Sequence, residues 1–430
     1  MSPPGDVFGG LKVWDAAWAG VGPLTTRYLG DYGATVVHTE SSRSFDVLRG
    51  LAPFHGGVPG VNRSQWFAEY NASKLGLGVN FATAGGREVG LRLARWADVV
   101  VESFSPGVME RFGLGYDSLR AANPSVVMLS TSMNGQTGPR RTFAGYGNVM
   151  AAVSGLCDVT GWPDRPPGSP YGAYTDFIAQ RFCASALIAA LDHRARTGEG
   201  QFIDVAQYEA SLQFLAPALI ELEASGLRMT RDGNRHPRHA PHGVYRCLDG
   251  DSPDVERWIA IAVENDDQWQ ALVKAMGSPP WAMGAELAGG AGRKAAEDEL
   301  DRHVAAWTAD RSAAEIFGLL QPDVPAAPVQ TGLDMLGDPQ LAFRGYLTTL
   351  VHGEVGEAVY EGSQAILSVT QPRPRKAAPC FAEDNGHVLG GLLGYTDAEI
   401  GELIAAGAIE TPAAPAAPAA PSEGGAATSG

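Results

Sequence analysis

A chain of 430 residues is long enough to bury a substantial core and, on length alone, to form two or three domains. Asp and Glu number 48 against 32 Lys and Arg, so the formal net charge of −16 argues against a nucleic-acid partner while leaving room for a local basic pocket for a phosphorylated ligand. No apolar run approaches the roughly 20 residues that a bilayer crossing needs.

The N-terminal MSPPGDVFGG has neither the charged start nor the apolar core of a signal peptide. Cys157, Cys183, Cys247 and Cys380 lie far apart and make no CxxC pair, so a reduced, cytoplasmic, metal-free protein is the simplest expectation. The first 130 residues alternate short β-like runs with helical stretches. LKVWDAA (11–17) leads through GPLTTRYLGDYG to ATVVHTE (34–40), LGVNF (77–81) precedes a helix over 83–96, and DVVVES (98–103) follows. After Asp117, which reads as an N-cap, a short helix leads into SVVMLSTS (125–132). Continuous apolar strands separated by helices predict an α/β fold, a doubly wound, Rossmann-like parallel sheet covered on both faces.

A helical region over 143–227 is broken by GWPDRPPGSPYG and by a strand at QFIDVAQ (201–207). The polar segment RMTRDGNRHPRHAPHG reads as a linker. Beyond it GVYRCL and RWIAIAV predict a strand pair, followed by helices to about residue 320 and a strand at AAPVQT, which makes a smaller α+β domain. TDAEIGELIAAG is a capped terminal helix, and the Ala/Pro/Gly-rich end cannot bury enough apolar area to order itself. The expected organisation is therefore a large domain over 1–227, a linker over 228–243, a small domain over 244–335, a return to the large domain over 336–409 and a disordered tail over 410–430.

Asp176 closes GSPYGAYTDF and opens the apolar run IAQRFCASALIAALDHR, which places one carboxylate in the first turn of a helix. Helix N-terminal N–H groups stabilise an anion there, so Asp176 reads either as a helix cap or as an ionised nucleophile for an electron-poor carbonyl. Three other signals carry less. Gly20 and Gly22 with Glu40 imitate a dinucleotide fingerprint, but Thr25 stands where its third glycine belongs. His236, His239 and His242 sit among prolines with no nearby cysteine and read as linker rather than zinc site. Neither a GxSxG elbow nor a P-loop occurs.

The ordered set GLKVWDAAWAGVGPLTTRYLGDYGATVVHTE, NASKLGLGVNF, ADVVVESFSPGVMERFGLGYDSLRAANPSVVMLS, SMNGQTGP, GSPYGAYTDF, RTGEGQFIDVAQYEASL and FAEDNGHVLGGLLGYTDAEI resembles family III CoA-transferases. That group contains formyl-CoA transferase, carnitine CoA-transferase and α-methylacyl-CoA racemase. The resemblance implies an interlocked homodimer, or a heteromer with a paralogue, acting on acyl-CoA and carboxylic acids without a further cofactor. Asp176 occupies the family's nucleophile position, forming an aspartyl anhydride and then an aspartyl-CoA thioester. By the same analogy Asn134, Gly135 and Gln136 form a mobile loop that shields the site and donates to the oxyanion. Asn71, Lys74 and Arg111 match positions that contact CoA, Phe104 walls the adenine side, and Arg43 stands two residues later than the family's usual arginine.

The racemase branch places a histidine where this chain has Tyr146, and an unperturbed phenol, titrating near 10, is a poor base at neutral pH. Transfer is therefore expected rather than epimerisation, with a catalytically silent partner subunit as a further alternative. The run from Gly135 to Phe177 looks most like the benzylsuccinate CoA-transferase subgroup, implying succinyl-CoA as donor and an aromatic or dicarboxylic acceptor. Tyr146 and Tyr174 are the expected walls of an acceptor pocket, with Trp162 and Tyr171 as further aromatics that serve equally well as core.

Overall fold

A computed structural model describes residues 6–248, 250 and 255–412. The chain divides into two compact units. The larger takes the chain up to Ser154, then Tyr171–Ala216, then everything from Gly345 onward; the smaller takes Gly155–Pro170 and Pro217–Arg344.

The larger unit is built on a six-stranded sheet. Its elements are β1 (Lys12–Asp15), α1 (Val21–Asp31), β2 (Thr35–Glu40), α2 (Gln65–Tyr70), β3 (Leu75–Gly78), α3 (Ala84–Trp96), β4 (Val99–Glu102), α4 (Val108–Arg111), α5 (Tyr116–Ala122) and β5 (Val127–Ser132). They continue with α6 (Gly147–Val153), α7 (Tyr174–Thr197), β6 (Phe202–Ala206) and α8 (Gln207–Leu212). The strand order is β3-β2-β1-β4-β5-β6, and every pairing is parallel. The expected doubly wound sheet is what these apolar runs form, because strands such as VVVE at β4 are buried along their whole length.

Strand alternation sends Trp14, Val37, Val100 and Met128 into a core shared with Val89 and Leu93 of α3 and Leu119 of α5. On the opposite face α1 and α7 pack against each other. Helix starts follow side-chain capping: Thr83 accepts from the Gly86 N–H and Ser64 from the Phe67 N–H. Asp117 is not the cap of α5. Gly115 takes that place and Asp117 falls in the first turn, where an acid still meets the favourable end of the helix.

The returning chain completes this unit. Leu347–His352 (β7) and Gly356–Glu361 (β8) form an antiparallel hairpin whose Tyr360 is buried against Leu48, Phe67 and Tyr70. Val388, Leu389 and Ile409 enter the main core. The helix Asp397–Ala405 has the expected start, a capping box in which Thr396 and Glu399 satisfy each other's backbone N–H groups. Glu410, where the expected tail begins, accepts hydrogen bonds from Ser41 Oγ and the Ser42 N–H. Residues 413–430 of that tail lie outside the described residues.

The smaller unit carries the predicted strand pair, His242–Arg246 against Trp258–Ala262, with Ala326–Pro328 added along the second strand, all antiparallel. Helices Asp266–Ala275, Glu297–Ala309 and Ala313–Leu320 close over it, burying Trp269, Leu272, Val304 and Ile316 with Ile259 and Ile261. Among the described residues no helix is long and apolar enough to cross a membrane.

Candidate active site

The strand order reverses between β1 and β4, and in a parallel α/β sheet the crevice beyond the carboxyl ends of the strands at that point is where ligands collect. A cavity of about 480 Å³ lies there. Its walls are the turn after β1 (Trp18 to Val21), the segment after β4 (Ser103 to Pro106), the end of β5 (Thr131 to Met133), Arg141 with the stretch Phe143 to Tyr146, then Asp176 and Gln207. All of them belong to the larger unit.

Asp176 is the third residue of α7, with Ala173 as N-cap. Two glycines make room for its carboxylate. A Cβ on Gly20, at the start of α1, would collide with Oδ2, and one on Gly147, at the start of α6, would collide with Oδ1. The carboxylate thus lies against the first residues of two helices while standing in the first turn of a third. Gln207, which opens α8, donates from Nε2 to Oδ1. The Gln207 amide is itself fixed, since Nε2 also donates to Thr175 Oγ1 at 3.0 Å, and Thr175 Oγ1 donates to the Gly147 carbonyl at 2.8 Å.

Burial pushes the Asp176 carboxyl up to about 6, and the Gln207 hydrogen bond pulls the other way. No charged neighbour contributes to that balance. A carboxylate in this state is still mostly ionised at neutral pH and is more basic than an ordinary aspartate.

The turn after β1 is held rigidly beside it. Ser103 Oγ accepts from the Trp18 N–H and donates to the Trp18 carbonyl, both at 2.8 Å, and Asp46 Oδ1 accepts from the Ala19 N–H at 3.0 Å. Ala19 sits at φ +64°, a conformation that favours glycine, so the Asp46 clamp holds a strained residue one position before Gly20. The Trp18 ring meets Phe104 edge-on, with centroids 5.1 Å apart.

Of the residues singled out from sequence, Asp176, Phe104 and Tyr146 share this cavity. Tyr174 opens α7 and is part-exposed, outside the cavity walls, and Tyr171 is far more exposed. Trp162 belongs to the smaller unit. Asn134, Gly135 and Gln136 follow the cavity wall directly, but the Gln136 N–H is bonded to both Asp204 oxygens, at 3.0 and 2.9 Å. Asn71 and Lys74 are fully buried. Lys74 Nζ donates to Asp15 Oδ2 at 2.8 Å, to the Pro23 carbonyl at 2.9 Å and to Asn71 Oδ1 at 2.8 Å, which uses all three of its protons inside the protein. Arg111 is exposed at the end of α4, and Arg43 is exposed with Nε 3.9 Å from Glu410 Oε1.

Sequence reasoning missed Gln207, Gly147 and Arg141, and it weighed Gly20 only for a nucleotide. The signal for Gln207 was present, as a polar residue closing QFIDVAQ where a strand turns into a helix. Nothing local ties it to a carboxylate 31 residues earlier.

A family model, CoA-transferase family III, matches residues 8–385. The succinyl-CoA–D-citramalate CoA-transferase of Chloroflexus aurantiacus is 31% identical over 89% of this chain and 93% of its own. The succinyl-CoA:mesaconate CoA-transferase of Haloarcula hispanica is 32% identical over 88% and 94%. Among solved structures, a CAIB/BAIF family protein from Brucella suis superposes with a TM-score of 0.81 at 30% identity, covering 90% of this chain and all of that one.

Proposed function

The chain belongs to CoA-transferase family III and is a CoA-transferase, and from that premise we propose that it moves CoA from succinyl-CoA to a second dicarboxylic acid by covalent relay through Asp176. The observation that carries this reading is the state of Asp176. It is a carboxylate raised to about 6 without a charged partner, opening on a cavity at the reversal point of the sheet.

The relay balances in four steps. An Asp176 oxygen attacks the thioester carbonyl, and the C–S bond breaks to give an acyl-aspartyl anhydride and CoA thiolate. The thiolate attacks the aspartyl carbonyl and expels the donor acid, leaving an aspartyl-CoA thioester. A carboxylate oxygen of the acceptor then attacks that thioester and releases the thiolate again. The thiolate finally takes the acceptor acyl carbonyl and returns Asp176 as a free carboxylate. Each step trades one activated acyl bond for another, so a weak nucleophile suffices and the chemistry asks for no cofactor beyond CoA.

Negative charge appears on a carbonyl oxygen at each attack and needs donors already in place. Gly20 and Val21 line the cavity at the start of α1, where the first N–H groups of a helix lack intrahelical partners, so they are the donors we assign to this charge. For Gln136 to serve instead, its N–H would first have to leave Asp204. Support for a dicarboxylic acceptor comes from the relatives, whose names pair succinyl-CoA with citramalate or mesaconate. The aromatic alternative keeps Tyr146 alone of its two expected walls. The interlocked dimer expected from the family remains part of this reading, and light scattering on the purified chain reads its mass.

The test is incubation with succinyl-CoA and a panel of dicarboxylic, aromatic and monocarboxylic acids, following new acyl-CoA species by mass spectrometry. Exchange with dicarboxylic acids is expected. No exchange with any acid, alongside epimerisation of an α-methylacyl-CoA, would sink the assignment.

A further inference from the structure

The cavity is unevenly charged. Among the residues that line it, Asp176 supplies the one acidic side chain and Arg141 the one cationic side chain. Arg141 does not pair with Asp176, since the influences on that carboxylate are burial and Gln207 alone. Among the described residues the Arg141 guanidinium makes no hydrogen bond or ion pair, although it also borders a neighbouring hollow where Glu110 and Asp117 lie. A guanidinium offers five donors in a planar fork that matches a carboxylate, and one left unused beside a reacting group is a binding element awaiting its ligand. A second unused group stands in the same wall, the Ser132 hydroxyl, buried and without a partner among the described residues.

We propose that Arg141 selects dicarboxylic acyl groups by holding the carboxylate remote from the thioester while Asp176 attacks the near carbonyl. The proposal rests on the CoA relay through Asp176 described above. Scale favours the acyl group over CoA itself as the ligand. In a succinyl thioester the two ends are joined by three carbon–carbon bonds of about 1.5 Å each, whereas the phosphates of CoA lie a whole pantetheine arm beyond the sulfur. A cation that lines the same cavity as the nucleophile is, on this proposal, the partner of the substrate's second charge. Among the residues that line the cavity, that charge has no other cationic partner.

The experiment compares succinyl-CoA with butyryl-CoA, in which a methyl group replaces the remote carboxylate. The second-order rate constant for loading CoA onto the protein from each thioester alone, with no acceptor, is read by intact-protein mass. The wild-type chain should prefer succinyl-CoA, and Arg141→Gln should lower the ratio of the two constants by at least about 100-fold. Arg141→Lys keeps the charge but loses the fork and should fall between the two. Arg141 is exposed and unpartnered, and melting curves serve as the check that both variants stay folded. An unchanged ratio overturns the proposal, and so does a wild type with no preference. An equal loss for both thioesters would also overturn it, by assigning Arg141 to the CoA arm. Failure of the wild type to load CoA from either thioester would instead strike the relay itself.

Discussion

Asp15 and Asp176 are two aspartates withdrawn from water, and their surroundings drive them in opposite directions. Burial would raise Asp15, but Lys74 at 2.8 Å and His38 Nδ1 at 2.9 Å outweigh it, with Thr26 Oγ1 also donating at 2.8 Å, so its carboxyl is held at about 2. Burial raises Asp176 as well, yet only a neutral amide opposes it, and the carboxyl rests at about 6. An aspartate whose charge is already matched by two cations and a hydroxyl donor has little electron density to offer a carbonyl. One whose ionised form is held without a counter-charge gains by sharing it. The first arrangement ties β1, β2 and the loop before β3 together. The second is the one that the proposed relay uses.

Altering the charge at each site should therefore have opposite consequences for stability, and Asp176→Asn gives the largest effect. CoA loading should fall by at least about 10⁴-fold, the scale on which loss of a covalent nucleophile is felt. Stability should rise at the same time. The folded state keeps the Asp176 proton up to about pH 6, whereas the unfolded chain releases it near 4, so the folded protein binds more protons in that window and loses stability as pH climbs through it. The asparagine variant escapes that loss, gaining on the order of 1–3 kcal/mol above pH 6 and nothing at pH 3. Melting curves at both pH values measure it, and a variant less stable than wild type at pH 7.5 would refute the strained-carboxylate account.

Lys74→Met probes the other region. It leaves Asp15 buried with His38 as its remaining cation, and breaking a buried pair this way costs about 3–5 kcal/mol. Chemical denaturation should report that loss. A folded variant of unchanged stability, with a raised KM for every CoA thioester, would restore Lys74 to the CoA contact suggested by its motif. The same network gives the wild type a basic limit. Burial lowers the pKa of His38, but Asp15 and Glu40 more than reverse this and raise it to about 9. Its contribution is complete below the unfolded value near 6.5 and disappears as pH rises through 9. The wild-type melting temperature should accordingly fall between about pH 6.5 and pH 9, and His38→Gln should flatten that fall.

These two regions also mark how far the sequence could be read. Strands and helices were legible because their signals are local: apolar runs at β4 and β5, the Thr83 and Thr396 caps, the Pro/Gly break before α7. Asp176 was legible for the same reason, as an acid where an apolar helical run begins. Lys74 was not. In NASK it reads as a CoA contact, and only the parallel pairing of β1 with β2, and of β2 with β3, carries Asp15, with His38 bonded to it, to its ammonium. The hold on the loop at Asn134 to Gln136 was equally hidden, because Asp204, which bonds the Gln136 N–H, arrives on a strand about 70 residues later. Close approach is equally silent in sequence. Gly20 looked like part of a phosphate turn, and its proximity to a carboxylate 156 residues away exists only in the fold.

The smallest expected effect bears on the one neutral group that separates Asp176 from a fully uncompensated carboxylate. Gln207→Leu removes the Nε2 donor while roughly keeping its volume, and Thr175 Oγ1 retains its bond to the Gly147 carbonyl. Because the Gln207 bond favours the ionised form, its loss should raise the Asp176 pKa above its present value of about 6. Transfer requires the carboxylate, so the rate falls about tenfold per pH unit below that pKa, and the acid limb of the variant should move up by about one unit. At pH 8.5 both proteins are ionised, and the variant should come within about tenfold of wild type, the remainder reflecting a less well oriented carboxylate. The limb position separates two roles for Gln207. A parallel drop at every pH, with the limb unmoved, would make it a group that only positions Asp176 and would weaken the contrast with Asp15. A shifted limb with recovery at high pH would show that the charge state of Asp176 is set by what the cavity withholds from it.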